Sequence, residues 1–288
     1  MSSVSTAKQH RFAIYVTLAY LFTSLSCIPT GLVVVEKGWV LPPPFIDLIS
    51  LNFTGTEQAM IFLVFSLGVY GPLVAAATSS LLTGGKPALR KLWEEITTWH
   101  VGLYWFLTVM FLPIILNLAG SVPAVLTCSL YNPSIPLQYF LPYFGFQLIT
   151  SGTEEIGWRG YALPCLQRRY TAERSSWILG VVWGVWHFPS IAFIYYTAGP
   201  FLANYLFASL LSIVGLTFVY TWLYNNMQSV SMMIIFHGWL NTLGMYIVNA
   251  FNNPTAVLLT AALNWILAII LVRRYGKENL SKKTRPTI

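Results

Sequence analysis

Glu154 and Glu155 stand side by side in Ser151-Gly-Thr-Glu-Glu-Ile-Gly-Trp-Arg159, a polar interruption of a long apolar stretch. Two later apolar stretches carry His187, within Trp183-Gly-Val-Trp-His-Phe-Pro189, and His237 with Asn241, within Phe236-His-Gly-Trp-Leu-Asn241. On a helix Glu155 and Arg159 are i and i+4 and share a face, as do His237 and Asn241. Glu154 is rotated from Glu155 by about 100° and points elsewhere. The spacing therefore predicts that Arg159 neutralises Glu155, while Glu154 stays free for chemistry and faces His187.

A carboxylate with two imidazoles suits hydrolysis. The carboxylate takes a proton from water as general base and returns it to a leaving amine, while a histidine orients the water. A second histidine with an asparagine can donate hydrogen bonds to a developing oxyanion. The same set, Glu154, His187 and His237, also supplies two imidazoles and one carboxylate, the ligands of a catalytic zinc with an open position. The His-Glu-x-x-His zinc motif is absent. A metal-free site and a zinc site thus both stay open. Each group also has a plainer use. A Glu155–Arg159 pair can pin two helices together, and an intramembrane His or Asn can simply bond a neighbouring helix. The combination argues for more than packing. Of the four histidines, only His187 and His237 fall in apolar stretches, whereas His10 and His100 are expected at the surface.

These groups need a scaffold, and composition says which kind. Of 288 residues, 56% are hydrophobic and 9% charged, against about 25% charged in a soluble domain. Continuous apolar runs of about 20 residues match bilayer-crossing helices rather than the alternating strands of a membrane barrel. The expected fold is all-α: one polytopic membrane domain over 1–288 with eight spans, near 12–35, 59–83, 101–121, 137–167, 175–196, 202–224, 229–250 and 254–272. The first run is too long for the apolar part of a cleavable signal and is expected to be retained. The segment 84–100 carries Arg90, Lys91, Glu94 and Glu95 beside Leu89, Leu92, Trp93 and Ile96, the pattern of an amphipathic helix lying in the membrane interface.

The net charge of +7 is a topology signal rather than a nucleic-acid one, and no nucleic-acid partner is expected. Lys8 and Arg11, then Lys86, Arg90 and Lys91, then Arg168, Arg169 and Arg174, then the basic tail from Arg273 to Arg285 all fall on one side of an eight-span chain. The opposite side has Lys37 beside Glu36, Asp47 and Glu57. By the positive-inside rule both termini are expected in the cytoplasm. Cys27, Cys128 and Cys165 form no Cys-x-x-Cys pair, so no disulfide framework is expected; Cys165 reads as a small buried hydrophobe. Asn52-Phe-Thr54 is a glycosylation sequon on the predicted outer side and reads as a chance occurrence. Depth is compatible with a shared site. Counting from the predicted cytoplasmic ends, Glu154 lies roughly 22 Å, His187 roughly 18 Å and His237 roughly 12 Å along their helices at 1.5 Å per residue.

The ordered set Glu154-Glu155-x-x-x-Arg159, an aromatic-x-x-x-His ending at His187, and His237-x-x-x-Asn241 resembles the three motifs of the CAAX-protease and bacteriocin-processing family, intramembrane proteases related to type II CAAX prenyl endopeptidases. The motif-bearing core would be 137–250. Trp183 stands where prenyl proteases often carry Phe. The resemblance implies an endopeptidase in which Glu154 activates water with help from His187, His237 and Asn241 bind the oxyanion, and Glu155 and Arg159 support the site. Both a metalloprotease and a metal-free, glutamate-based mechanism are described for this family. Implied partners are the lipid bilayer and a protein or peptide substrate, either a prenylated CAAX protein or a peptide in bacteriocin maturation or immunity. The implied location is a multi-pass protein of the plasma membrane in a prokaryote, or of the endoplasmic reticulum in a eukaryote. Two other classes fit the polar groups: a proton-coupled transporter, since such residues also form proton relays, and a catalytically silent scaffold on the same fold. The absence of an internal repeat weighs against the transporter.

Overall fold

The computed structural model describes residues 10–41, 55–99, 101–251 and 253–288. Lys8, Asp47, the Asn52 sequon and His100 lie outside them. Twelve α-helices follow in order among the described residues: α1 (Arg11–Glu36), α2 (Thr56–Leu67), α3 (Gly71–Thr97), α4 (Leu103–Leu126), α5 (Phe140–Ile149), α6 (Glu154–Gly157), α7 (Leu163–Gln167), α8 (Ala172–Trp186), α9 (Phe188–Ile194), α10 (Leu202–Met227), α11 (Val230–Leu243) and α12 (Pro254–Tyr275). No strand occurs among the described residues. The protein is a polytopic helical bundle, as its composition requires.

Seven helical stretches among the described residues are long and apolar enough to cross a bilayer: Arg11–Glu36, Thr56–Thr97, Leu103–Leu126, Ala172–Ile194, Tyr196–Met227, Val230–Phe251 and Thr255–Tyr275. They match seven of the eight expected spans. The other, 137–167, is helical but not continuous. It breaks at Thr150, whose backbone leaves the helical region (φ −106°, ψ −96°). The cause is local. Thr150-Ser-Gly-Thr153 has weak helix formers, and hydroxyls compete with the backbone ladder. Thr150 Oγ1 donates to the Phe146 carbonyl at 2.7 Å and Thr153 Oγ1 to the Thr150 carbonyl at 2.6 Å. A single 3₁₀ turn, Ser151–Thr153, then leads into α6.

The segment expected to be amphipathic is the far end of α3. Gly85 there adopts φ +68°, ψ −163°, a conformation that a Cβ would disfavour, and Pro87 follows. The helix is redirected at this kink and ends at Thr97. Leu92 turns inward and is buried, whereas Trp93 is exposed, so Trp93 does not join the inner face.

The core packs in two neighbourhoods that meet at the site. α1 lies along α2 and α3, and α3 continues the contact onto α6. On the other side α8 packs on α10, α10 on α12 and α12 on α4. Between them α11 touches α3, α4, α5 and α6, which makes it the most enclosed of the spanning helices. Outward faces remain apolar: Leu21, Leu25 and Leu32 on α1, Phe111 and Ile115 on α4, and Ile266 and Ile270 on α12 are exposed. Lipid chains solvate such a surface without cost, whereas water would not. Cys27 and Cys165 are buried and Cys128 exposed, all three as free thiols.

Candidate active site

The break at Thr150 places Glu154 and Glu155 in the first turn of a new helical stretch, entered through the 3₁₀ turn whose carbonyls take the Glu154 backbone N–H. Both are buried in the middle of the bundle. Directly after them the helix widens into a π turn, Trp158–Ala162, which contains Arg159. A second π turn, Gly244–Val248, follows α11, the helix that carries His237 and Asn241. Such single π turns recur at functional sites, where they redirect side chains.

Glu155 and Arg159 pair as expected: Arg159 Nη1 donates to Glu155 Oε1 at 3.0 Å, and both side chains are fully buried. The same oxygen also accepts from His237 Nδ1 at 2.8 Å, a link that the sequence reading did not anticipate. Arg159 is clamped face-on, its guanidinium carbon 4.4 Å from the Trp183 ring centre and 4.1 Å from that of Tyr220. Its Nε and Nη2, and Glu155 Oε2, have no protein hydrogen-bond partner.

Glu154 and His187 share Trp183 as a partner and are not bonded to each other directly. Glu154 Oε2 accepts from the indole N–H of Trp183 at 3.0 Å and of Trp158 at 3.3 Å. Among the described residues it makes no ion pair and no hydrogen bond with His187. The physical reason is competition. Two buried indoles need acceptors, and a buried carboxylate is the strongest one in reach. His187 is instead seated against the rings of Trp183 and Trp186, at centroid distances of 5.8 and 4.8 Å.

The orientation of His187 is set by the end of its helix. α8 tightens in its last turn, so the His187 backbone N–H reaches the Gly184 carbonyl at 3.2 Å instead of the Trp183 carbonyl one residue earlier. Pro189, lacking an N–H, cannot extend the regular ladder. The Trp183 carbonyl is left to the imidazole, whose Nδ1 lies 2.8 Å away. A carbonyl only accepts, so Nδ1 carries the hydrogen and neutral His187 presents its Nε2 lone pair. His237 shows the same logic: Nδ1–H donates to Glu155, and Nε2 is turned to the remaining side of the ring.

Asn241 also has a partner not foreseen: its Nδ2 donates to Gln147 Oε1 at 3.1 Å, and Gln147, on α5, is buried. Trp183 binds the cluster together, since its ring also lies 5.6 Å from that of His237. The motif residues alone do not assign a role to Trp158, Trp183, Gln147 or Tyr220. A signal was available for the two tryptophans. Trp158 is i+4 from Glu154 and Trp183 is i−4 from His187, the spacing at which helical side chains meet.

A zinc ion does not fit this arrangement of donors. Among the described residues no three His, Cys, Asp or Glu side chains converge closely enough to share an ion. Glu154 Oε2 accepts from two N–H donors, and Glu155 Oε1 serves His237 and Arg159.

Two comparisons bear on this geometry. Residues 136–243 match the family described as type II CAAX prenyl endopeptidase Rce1-like. The chain is also 30% identical over 178 residues to CAAX prenyl protease 2 of Methanococcus maripaludis, an alignment covering 59% of this chain and 64% of that relative. It thus spans less than two thirds of that protein's length. The matched region contains Glu154, Glu155, Arg159, His187, His237 and Asn241, all the residues of the three motifs.

Proposed function

We propose, on the premise that residues 136–243 are related to type II CAAX prenyl endopeptidases, that this chain is an intramembrane endopeptidase working near the cytoplasmic side of the membrane. Glu154 is the general base and His187 its assistant. Water attacks the scissile carbonyl carbon, its proton passes to Glu154, and the same proton goes to the amine as the C–N bond breaks. His187 Nε2 accepts a hydrogen bond from that water and orients it. The second N–H of Asn241 donates to the carbonyl oxygen as it gains charge, and so does His237 when Nε2 carries a hydrogen besides the Nδ1–H that Glu155 holds. Arg159 compensates the charge of Glu155.

The observation that carries this reading is the unequal treatment of two adjacent carboxylates. Glu155 receives the cation and the imidazole N–H. Glu154 receives two neutral N–H donors and, among the described residues, makes no ion pair. A structural pair would share its counter-ion, whereas a base needs a fixed direction and an uncompensated charge. The substrate class that the relatives favour is a protein C-terminus of CAAX type, prenylated before cleavage; peptide processing or immunity is the narrower bacterial alternative.

The test is cleavage in lipid nanodiscs of two peptides of one sequence, one farnesylated and one not. Glu154→Gln is expected to lower turnover by at least about 10²-fold, the usual worth of a positioned base, while the protein still inserts and elutes as wild type. Full turnover by the variant refutes the assignment. Equal turnover of both peptides refutes the prenyl specificity but not the protease.

A further inference from the structure

Trp183 takes part in more of the site than any other residue, and each contact uses a different atom. Its indole N–H donates to Glu154 Oε2 at 3.0 Å. Its carbonyl accepts from His187 Nδ1 at 2.8 Å. Its ring face covers the Arg159 guanidinium at 4.4 Å and meets the His237 ring edge-on at 5.6 Å. It is buried, and Tyr220 closes on its other edge at 5.4 Å, so the ring has no room to turn. Packing alone would explain the ring contacts. It does not explain why the single polar atom of this side chain meets the carboxylate of the adjacent pair that makes no ion pair among the described residues.

We propose that Trp183 is a positioning residue: through its N–H it fixes the rotamer of Glu154, and through its carbonyl it fixes the tautomer of His187, so one rigid residue aligns both groups that handle the water proton. The inference rests on the protease reading above and deepens it. Three features support a positioning role. The bond to Glu154 joins α8 to α6, so it sets the distance between the two helices that carry the base and its assistant. An indole N–H donates without supplying charge, so it orients the carboxylate without neutralising it. A donor to an ionised acceptor is also among the stronger hydrogen bonds. Trp158 donates to the same oxygen at 3.3 Å, but it sits on the same helix as Glu154 and cannot register α6 against α8.

The deciding variants separate the N–H from the ring. Trp183→Phe keeps an aromatic ring. Replacing Trp183 by benzothienylalanine keeps the full bicyclic shape and exchanges only N–H for sulfur. In nanodiscs, per folded molecule, both are expected to lower kcat by about 10- to 100-fold, the range for one hydrogen bond to a charged group. KM should stay within about twofold, since the residue does not touch substrate, and the pH–rate profile should be displaced. Trp158→Phe should lose less than either. An unchanged kcat and pH profile in the benzothienyl protein overturns the proposal and leaves Trp183 as packing. A readout free of catalysis accompanies these: in protein labelled with ¹⁵N-tryptophan, the Trp183 indole resonance should move in Glu154→Ala, and an unmoved resonance overturns the contact itself. A wild type that shows the resonance shift but cleaves neither peptide overturns the protease reading, and the positioning role with it, while the contact stands.

Discussion

Arg159 is the place where stability and activity can be pulled apart. Replacing it by methionine keeps most of the side-chain length and leaves apolar contact with the rings of Trp183 and Tyr220 that now clamp the guanidinium. What is lost is the counter-charge of Glu155, which is fully buried. Removing one partner of a buried pair costs about 3–5 kcal/mol, because the other is left charged without compensation. The lost desolvated cation–π contact adds about 1–2 kcal/mol, part of which the thioether returns. A net loss of about 4 kcal/mol is large against the roughly 5–15 kcal/mol that holds most folded proteins. The double variant Glu155→Gln with Arg159→Met removes both charges. It should regain about 2 kcal/mol or more of that loss, since a neutral buried amide costs much less than a lone carboxylate. Cleavage should not return with it. His237 Nδ1 would face an amide in place of a carboxylate, and loss of one oxyanion donor costs about 10²-fold or more in turnover. Unfolding is measured in micelles by tryptophan fluorescence and steric trapping, with turnover on the same preparations. A double variant no more stable than Arg159→Met refutes the charge argument. Wild-type turnover in the double variant refutes the supporting role of Glu155.

Two further outcomes test the packing and the second hydrogen-bond arm. Gly157→Ala would place a Cβ 2.4 Å from the Pro72 carbonyl oxygen and 2.6 Å from Tyr15 Oη, so α3 and α6 must separate; a loss of about 1–3 kcal/mol is expected from such overpacking, read as a lowered unfolding midpoint, and an unchanged midpoint would show that the contact is not as close. Gln147→Leu removes the acceptor that holds Asn241; kcat should fall up to about 10-fold with KM unchanged, the worth of one neutral hydrogen bond, and a rise in KM alone would place Asn241 in substrate binding instead.

Long apolar runs made the bundle legible from the sequence, and i, i+4 arithmetic found the Glu155–Arg159 pair. The arithmetic also separated the two glutamates correctly. It failed on what lies across the helix gap, because spacing describes one helix at a time. The bonds from Trp183 to Glu154, from His237 to Glu155 and from Asn241 to Gln147 each join residues at least 29 apart in the chain. The missed break at Thr150 is different in kind. Its signal was local, a Thr-Ser-Gly-Thr run inside an apolar stretch, and was overruled by the hydropathy of the flanks. In the bundle the polar run is tolerated because its hydroxyls bond carbonyls three and four residues back, so the irregular backbone exposes fewer unsatisfied groups to lipid.

That break bears on catalysis as well as on length. Had 137–167 been one straight helix, Glu154 would lie mid-ladder, with backbone N–H groups already committed and its direction set by α5. Beginning a new helical stretch at Glu154, after the 3₁₀ turn, uncouples its orientation from α5. Across the start of the π turn that follows, the i, i+4 spacing holds, so Arg159 reaches Glu155 and Trp158 reaches Glu154. Both i+4 partners are thereby kept, one cationic and one neutral, and each carboxylate obtains a different environment from the same fourteen-residue stretch, 154–167. A carboxylate pair in a bilayer is costly unless each charge has a stated partner. Here one charge is compensated by a cation and the other is aimed by indoles, which is the division of labour that the proposed general-base hydrolysis requires.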